Sequence, residues 1–586
     1  MSFWTAEDKV PIAQTKVSIP AEHGLEYSPG QKCEFHIPAG IGFFQPKESY
    51  LNLSVKLSTA GLTPTRLQLD QESGMNILIR ECRVYSAGAG RILLEEYQNY
   101  NVLTALKYDY ETNDTLRAKR SLTEGTTNYT ESTRSTMGTP KSAQNNLNEN
   151  PYFKPLPKQT AVYDTAWSQD DDFREVKGLI PLHTGIFQNS KVFPIAMTEG
   201  LIVELIFEDA RRVFRTLDQT NAFRHLSANP VFHSLNGSNH APDAVAADAQ
   251  FQEFFVRRDN CQGWDSDISS FPFAVGEEIG FMDQDGVESV DKKDVAGNKH
   301  ITEISYVAGT TNAIKVKLNA SFTATREIDD LYYIFSRSVE NSATYNPTYT
   351  ITNAEFVVQK VEMPQGYTSK LAQMMKGGGA MNYDFVSATN YKISQQATER
   401  VANLRLPLTQ SRAKAILCIP TDASASGTKD LLMAKATYET DYDLDADTQT
   451  RTENVNHSQR TGITGCADFL TSYQLFYDGK LNPNRKVFCS KISNKVSVDA
   501  QPLIELEKAL VMSGIKPFSM LKFRENFCIG RALSLQNGVY DARGKDFALQ
   551  VEYQETDAPE IDKLWNCWCV HLRRIVISGS SISLQV

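Results

Sequence analysis

Residues 50–58 read YLNLSVKLS, and apolar and polar side chains alternate along the whole segment. Successive side chains of a β-strand point to opposite faces, so one face of this segment would carry only apolar groups. Those groups are Leu51, Leu53, Val55 and Leu57. The pattern predicts a strand with one face in a protein core and the other toward solvent.

The same period of two recurs along the chain. It is found in residues 201–207, 314–318, 547–553 and 582–586. Turn-forming pairs accompany such segments, namely Asp478 with Gly479 and Asn537 with Gly538. Asp-Gly and Asn-Gly favour the tight turns of antiparallel hairpins. The chain is therefore predicted to be all-β, with antiparallel strands.

Helical patterns are few and short. One has helix spacing over Leu93, Tyr97, Tyr100 and Leu103. Another, Leu503, Leu506 and Leu510, lies between a possible N-cap at Asp499 and a stop at Gly514. A third covers residues 367–375 and ends at glycines 377–379. None alternates with strands in the βαβ order of a parallel sheet.

The three consecutive glycines at 377–379 are the best candidate for a domain boundary, because a helix does not continue through them. We expect a first domain at 1–370, a linker at 371–380 and a second domain at 381–586. The first domain is large for one sandwich. Polar, weakly periodic stretches at about 109–160 and 209–300 explain the excess as long loop insertions.

Composition excludes several classes of protein. The chain has 586 residues, 41% hydrophobic, and a formal charge of −10. It is too apolar for wholesale disorder, and the acidic balance argues against a broad basic face that follows nucleic acid. No segment approaches the roughly 18–20 apolar residues of a membrane span. The opening MSFWTAEDKV lacks the apolar core of a secretory signal, so we expect a soluble protein made inside the cell.

The cysteines do not suggest a disulfide framework. There are nine, an odd number at irregular spacings, so reduced thiols are expected. Cys567 and Cys569 flank Trp568 in a strand-like segment and have no second ligand pair at zinc spacing. We interpret them as core residues.

Motifs for catalysis and cofactor binding are missing from the sequence. It contains no G-x-x-x-x-G-K-[ST], G-x-S-x-G or H-E-x-x-H. His233 and His240 share a polar loop in which a metal pair is not expected, and His36 and His571 lie in strand-like segments. We therefore predict no catalytic, cofactor-binding or metal site.

Charged clusters have simple explanations. The alternating acids Asp441, Asp443, Asp445 and Asp447 lack the glycine and glutamate of an EF-hand loop, so a solvated acidic loop tip is expected. Short basic clusters occur at 117–120, 211–212 and 573–574. Charges of this kind commonly protect sheet edges from unwanted pairing.

Seven longer segments form a distinctive series. Four lie in the first domain: SPGQKCEFHIPAGIGFFQPKESYLNLSVKLS, NILIRECRVYSAGAGRILLEEYQNYNVL, LIPLHTGIFQNSKVFPIAMTEGLIVELIF and TNAEFVVQKVEMPQGYTSKLAQMM. Three lie in the second: YQLFYDGKLNPNRKVF, NFCIGRALSLQNGVYDARGKDFALQVEY and LWNCWCVHLRRIVISGSSISLQV. In this order they resemble the double jelly-roll major capsid proteins of tailless double-stranded DNA viruses, most closely those of virophages and polinton-like viruses.

The resemblance implies two tandem eight-stranded antiparallel jelly-roll sandwiches with long loop insertions and a few short helices. It also implies a structural role without catalysis or cofactor, in which homotrimers form pseudo-hexagonal capsomers of an icosahedral shell. Expected partners are further copies of the chain, penton and minor capsid proteins, and encapsidated double-stranded DNA only indirectly. The expected location is the virion capsid, assembled inside the host cell.

Two alternatives remain. Jelly rolls also serve lectins and hydrolases, so a carbohydrate-binding or carbohydrate-active two-sandwich protein is one. Such proteins gather aromatics on one concave sheet, whereas the five tryptophans here are dispersed: Trp4, Trp167, Trp264, Trp565 and Trp568. The other is a viral attachment or minor vertex protein, which a second complete roll after Gly379 disfavours.

The glycine segment permits a further hypothesis. Residues 375–379, MKGGG, match the M-x-G-G-x consensus of adenovirus-type maturation proteases, and relatives of the resembled family are processed by such enzymes. Cleavage here is one interpretation. A flexible connector explains the same glycines.

Overall fold

A computed structural model of the chain describes most of its regular structure. The longer described ranges are 11–60, 73–88, 90–113, 175–213, 346–423, 470–489, 500–518, 526–533, 538–553, 562–579 and 581–585. The shorter ones are 67–68, 116, 119–120, 123–124, 215–216, 235–236, 241–242, 249–257, 279–282, 301–306, 313–324, 333–336, 463–465, 467, 491–492, 495–496 and 520.

Among the described residues, the first part of the chain forms nine strands before its large insertion. They are β1 (Ala13–Pro20), β2 (Glu26–Tyr27), β3 (Lys32–Ile37), β4 (Phe43–Ala60), β5 (Leu67–Gln68), β6 (Ile79–Ser86), β7 (Leu93–Gln98), β8 (Glu175–Pro181) and β9 (Leu201–Phe207). Helix α1 (Tyr100–Glu111) follows β7, and the short helix α2 (Ala210–Val213) follows β9.

The described parts of the insertion after α2 contain eight further strands. They are β10 (Arg215–Thr216), β11 (Leu235–Asn236), β12 (Ala241–Pro242), β13 (Ala249–Arg257), β14 (Ile279–Met282), β15 (Ile301–Tyr306), β16 (Ala313–Ala324) and β17 (Tyr333–Ser336). The long strand β18 (Asn346–Glu362) then returns to the main body of the first part, and helix α3 (Gln365–Lys376) follows it.

The second part begins directly after the glycine segment. Its strands are β19 (Ala380–Gln395), β20 (Val401–Leu406), β21 (Ala413–Asp422), β22 (Leu470–Tyr477), β23 (Lys480–Leu481), β24 (Val487–Phe488), β25 (Lys491–Ile492), β26 (Lys495–Val496), β27 (Ile529–Ala532), β28 (Phe547–Tyr553), β29 (Lys563–Ser578) and β30 (Ser581–Gln585). Helix α4 (Ala500–Met512) lies between β26 and β27.

Strand order identifies the first sandwich. One sheet has the order β1-β18-β4-β8 and the other β3-β9-β6-β7, with every pairing antiparallel. The two sheets pack together, as Phe35 of β3 and Phe356 of β18 show, with ring centroids 6.0 Å apart. If the eight strands of these two sheets are numbered 1 to 8 in the order in which they occur along the chain, the strand orders are 1-8-3-6 and 2-7-4-5. This arrangement is a jelly roll.

The second sandwich repeats the same arrangement. Its sheets have the orders β19-β29-β21-β27 and β20-β28-β22-β23, which again run 1-8-3-6 and 2-7-4-5 among the eight strands. The short strands β24 and β30 add to these sheets, as β2 does in the first sandwich. The prediction of two tandem antiparallel jelly rolls is confirmed. We call them the first and second rolls.

The central strand of the first roll, β4, contains the alternating residues 50–58. β4 pairs with β18 on one side and β8 on the other. Leu51, Leu53 and Val55 are fully buried in the core, and Asn52 between them is half-buried. The predicted apolar face is therefore buried, but the opposite face is not open to solvent at Ser54, which is also buried. The strand extends beyond the predicted segment to Phe43 and Ala60.

β29 has no polar alternation because both of its faces are covered. Trp565, Cys567, Trp568 and Cys569 are all buried. A strand covered on both faces reads as a nearly continuous apolar segment. The core interpretation of Cys567 and Cys569 is confirmed, and the seven cysteines of the described residues are free thiols, all buried.

The region 209–300 differs from its prediction as a polar loop. Within it and just beyond, β13, β16 and β15 form a three-stranded antiparallel sheet, and β14 pairs with β17. The ladder between β13 and β16 shifts register between Phe251 and Glu253. The extra residues of this irregularity lie on β16, because Phe322 and Lys317 are the partners of the two β13 residues. β13 itself reads AQFQEFFVR, and its three consecutive apolar residues interrupt the period of two that pattern analysis relies on.

One predicted helix is wrong at its start. The helix-spaced residues Leu93 and Tyr97 lie in β7, which pairs with β6, and α1 begins only at Tyr100. Pairing with a neighbouring strand overrides the local helical spacing. The other two helices are confirmed as α3 and α4, and Gly378 (φ 79°) and Gly514 (φ 82°) adopt the left-handed backbone that ends them.

One predicted hairpin is confirmed and one is wrong. Asp478 (φ 51°) and Gly479 (φ 72°) form the turn between β22 and β23. Around the second Asn-Gly pair, Ala532 pairs with Ala415 and Tyr540 forms a bridge with Ala413, so the chain continues along the same strand, β21. The next strand, β28, belongs to the other sheet. Asn537 itself lies outside the described residues.

Shortening Leu53 tests the core of the first roll. We expect Leu53→Ala to lower the unfolding free energy by about 2–5 kcal/mol, because a fully buried leucine leaves a cavity. Leu179→Ala is the matched control, since Leu179 lies on the neighbouring strand β8 and is 41% exposed. Urea denaturation followed by tryptophan fluorescence measures both. Equal losses in the two variants would contradict the assignment of Leu53 to the core.

Candidate functional site: the contact between the two rolls

The turn between β7 and α1 of the first roll contacts the second roll. Asn99 lies in this turn with φ 55° and ψ 46°. Asparagine tolerates this left-handed conformation better than most residues do. Its Nδ2 donates a 2.6 Å hydrogen bond to Oδ1 of Asn566 on β29. The two residues are 467 positions apart, so this bond joins the rolls.

A buried amide network surrounds Asn566. Its Oδ1 also accepts from Nδ2 of Asn390 (3.0 Å), and its own Nδ2 donates to Oγ1 of Thr421 (3.1 Å). Nδ2 of Asn390 further donates to the backbone oxygen of Gln98 at 2.9 Å. Losing one partner of a buried hydrogen bond costs about 1–3 kcal/mol. The network therefore fixes β7 of the first roll against β19, β21 and β29 of the second.

Glu95 of β7 places a fully buried carboxyl group in the same contact. Its two oxygens accept the backbone N–H groups of Gly185 (3.0 Å) and Ile186 (2.8 Å). Burial raises the pKa of Glu95 above its ordinary value, against the opposing effects of these N–H groups and of Arg573. Glu95 thus holds the loop that follows β8 in place.

That loop touches the second roll at Gly185. A Cβ atom added there would lie 2.0 Å from the backbone oxygen of Val386 and 2.8 Å from a ring carbon of Phe385. Real Cβ atoms do not approach so closely, so only glycine fits between the loop and β19. The two backbones are therefore in direct contact.

Aromatic pairs extend the contact into both cores. The ring centroids of Tyr97 and Trp568 are 5.9 Å apart, and those of Phe193 and Tyr383 are 5.0 Å apart at 77°. Edge-to-face and tilted pairs at these distances are favourable. The buried residues of the two rolls form one hydrophobic cluster. The rolls therefore share a core.

A second connection lies at the end of α1. Oδ2 of Asp109 accepts from Nδ2 of Asn526 at 2.6 Å, and the hydroxyl of Tyr110 donates to the backbone oxygen of Asn526 at 3.2 Å. The backbone N–H of Phe518 donates to the backbone oxygen of Tyr110 at 2.8 Å. α1 follows the fifth strand of the first roll, and residues 513–526 precede the sixth strand of the second. Equivalent connections of the two rolls thus meet.

The residues singled out in the sequence are scattered. Arg573 donates to the backbone oxygen of Leu94 at 2.7 Å, and Arg574 pairs with Asp384 at 2.7 Å, so both serve roll contacts or strand pairing. His571 is buried, and His36 lies on the sheet surface, as expected. His233, His240 and the four alternating aspartates lie outside the described residues.

Neither a metal centre nor a membrane helix emerges from the described part of the chain. It contains no group of three or more His, Cys, Asp or Glu side chains that could hold an ion. No helix there is long and apolar enough to cross a bilayer.

Comparison with known proteins adds to this description. No protein-family model matches the sequence, and no curated protein does. Several solved structures match along the chain. PBCV-1 VP54, fitted into a reconstruction of the virophage Sputnik, is 10% identical over 100% of both chains, with a TM-score of 0.46.

Two further solved structures give similar values. The cryo-EM structure of the Sputnik virophage is 9% identical over 100% of this chain and 90% of its own, with a TM-score of 0.44. The Faustovirus major capsid protein is 7% identical over 98% and 92%, with a TM-score of 0.43. Likeness at this level does not carry the fold assignment, which rests on the strand order. That order defines a double jelly-roll protein.

Adding a methyl group at Gly185 tests the contact between the rolls. We expect Gly185→Ala to lower the unfolding free energy by about 1–3 kcal/mol, because the loop must move away from β19. The control is Gly366→Ala in α3, where an added Cβ has open space. There alanine should be neutral or stabilise by up to about 1 kcal/mol. Thermal unfolding compares the two. A Gly185→Ala protein as stable as the control would show that the rolls do not touch here.

Residues 375–379, the hypothetical cleavage site, lie at the packed end of α3. Met375 is buried at the end of α3, and a Cβ added to Gly379 would lie 2.8 Å from the backbone oxygen of Met374. Extended substrate segments suit proteases better than packed helix ends do. We expect intact mass measurement of purified particles to show uncut chain across Lys376 to Ala380. Fragments ending at Gly378 or Gly379 would establish cleavage instead.

Proposed function

We propose that this chain is a major capsid protein that forms homotrimers, whose six jelly rolls make pseudo-hexagonal capsomers of an icosahedral shell. The observation that carries the proposal is the pair of rolls with identical strand order, held together by a shared core. Three such chains supply six similar rolls around one axis. A threefold assembly can then occupy a sixfold position in a shell.

The exposed apolar side chains support self-association. Twelve large apolar side chains are exposed among the described residues, and five of them fall between Leu481 and Phe518 of the second roll. Ile504 (48% exposed) and Val511 (58% exposed) are seven positions apart on α4, so they lie on one face of that helix. Permanent subunit contacts are more apolar than the rest of a protein surface. We assign this face of α4 to the contact between subunits.

The proposal includes a location and partners. The protein would reside in the virion capsid and be assembled inside the host cell. Its main partner would be itself, with penton and minor capsid proteins at special positions. Contact with the encapsidated double-stranded DNA would be indirect, in keeping with a net charge of −10.

The carbohydrate-binding alternative receives no support from the described tryptophans. Trp565 and Trp568 are both fully buried, so neither presents a ring on which a sugar could stack. The proposed role is structural.

Solution mass tests the trimer. We expect purified protein to have three times the chain mass of 65.6 kDa by light scattering. The double variant Ile504→Glu/Val511→Glu should shift the mass toward that of the monomer, since it places charges in an apolar contact. Val401→Glu is the control, because Val401 is exposed to a similar degree (47%) on another strand, β20.

Two results would count against this proposal. A monomeric wild-type protein would contradict the trimer itself. A double variant that stays as trimeric as Val401→Glu would move the subunit contact away from α4.

A further inference from the structure

A cleft of about 850 Å³ opens between the two rolls. Its first wall consists of α1 and the loop after β8, and its second wall consists of β19, β29 and residues 513–516. Ligand-binding clefts typically have volumes of about 300–1,000 Å³. The cleft is therefore large enough for a small organic or inorganic molecule that touches both rolls.

Positive charge is concentrated in this cleft, although the chain as a whole is acidic. Its lining includes four cations, Lys47, Lys107, Arg120 and Lys516. The carboxylates of the lining are Glu111 and Asp384. Nε and NH2 of Arg574 donate to the two oxygens of Asp384 at 2.7 and 3.1 Å, so that carboxylate is already neutralised. Arg120 pairs with Glu124 beside the cleft, with Nε 3.9 Å from Oε1. The carboxylate of Glu111 then remains against the three lysines of the lining.

Lys107 is a partly buried cation of the cleft and is held by uncharged groups. Its Nζ donates to Oε1 of Gln188 at 3.1 Å and lies 3.3 Å from Nδ1 of His183. Burial lowers the pKa of Lys107; Glu111 opposes this effect, while Arg120 and Lys47 reinforce it by repulsion. An ammonium group in this setting gains from a nearby anion.

His183 is fixed as a neutral acceptor for Lys107. Burial, reinforced by Lys107 and Arg120, holds the pKa of His183 well below its usual range. Its Nε2 lies 2.9 Å from the hydroxyl of Tyr108, which donates to the carboxylate of Glu124. The hydrogen-bond pattern therefore assigns the ring proton to Nε2 and leaves Nδ1 to accept from Lys107.

Arg120 is fixed beside this group. Its guanidinium carbon lies 4.0 Å from the ring centroid of Tyr108, and NH1 donates to Oγ1 of Thr112 at 2.7 Å. Tyr108 thus contacts both His183 and Arg120. Lys107 and Arg120 are held in the same part of the cleft before any ligand arrives, which reduces the entropy cost of binding.

We propose that the cleft binds a small phosphate-type oxyanion, with Lys107 and Arg120 as its main donors. Lysine supplies a compact charge and arginine a planar pair of donors, a combination suited to phosphate. The anion would remove the repulsion among Lys47, Lys107 and Arg120. Because Lys516 belongs to the second roll and the other three cations to the first, the anion would also tie the rolls together.

Pyrophosphate is the probe for this site. We expect isothermal titration calorimetry of the wild-type protein to show one pyrophosphate per chain, and the unfolding temperature to rise with it. Lys107→Gln should weaken binding about tenfold or more, because a charge-assisted donor is lost. The matched control is Lys392→Gln. Lys392 carries the same charge, but it is exposed on β19 outside the cleft, so binding should be unchanged.

A second variant, Lys47→Gln, tests the same site if Lys107→Gln does not fold. Lys47 is exposed at the rim, and Lys47→Gln should weaken binding several-fold. Sodium chloride at matched ionic strength should not reproduce the stabilisation by pyrophosphate. The proposal fails if wild-type protein does not bind pyrophosphate, if chloride has the same effect, or if Lys47→Gln and Lys107→Gln bind as Lys392→Gln does. The solution mass of the protein is independent of these outcomes.

Discussion

The structure depends on the burial of both faces of β29. One face packs into the second roll, and the other receives Tyr97 and the amide of Asn99 from the first roll. Without that second partner, Trp568 would lie exposed on a sheet surface, and the amide group of Asn566 would lose its bond to the first roll. Each roll therefore supplies part of the environment in which the other is stable. Two sandwiches that could be independent in principle are made into one structural unit.

Polar groups determine the geometry of this unit. Apolar burial favours contact between the rolls but tolerates many relative positions. The amides of Asn99, Asn390 and Asn566 and the carboxyl group of Glu95 each need particular partners, and a shifted roll would leave them unsatisfied. Direct contact of the backbones at Gly185 adds a steric limit. A fixed angle between rolls is what the proposed shell would require of its subunits.

Much of the fold could be predicted from the sequence because many strands show a local alternation of apolar and polar residues. Residues 50–58 and 547–553 carry a period of two that survives in β4 and β28. The pattern failed where the alternation is interrupted or overridden. Three consecutive apolar residues break the period of two in β13, and pairing with β6 makes Leu93 and Tyr97 part of a strand although their spacing is helical. The contact between the rolls was not predictable. Asn99 and Asn566 are separated by 467 residues, and neither belongs to a motif.

The proposed capsomer contains three copies of this chain, and therefore three first rolls and three second rolls. A cryo-EM reconstruction of assembled particles tests it most directly, at a resolution that separates individual strands. We expect capsomers with three chains and six sandwich-shaped densities, alternating between first and second rolls, with β29 against the first roll in every chain. Capsomers built from six chains, or rolls of one chain separated from each other, would contradict this expectation.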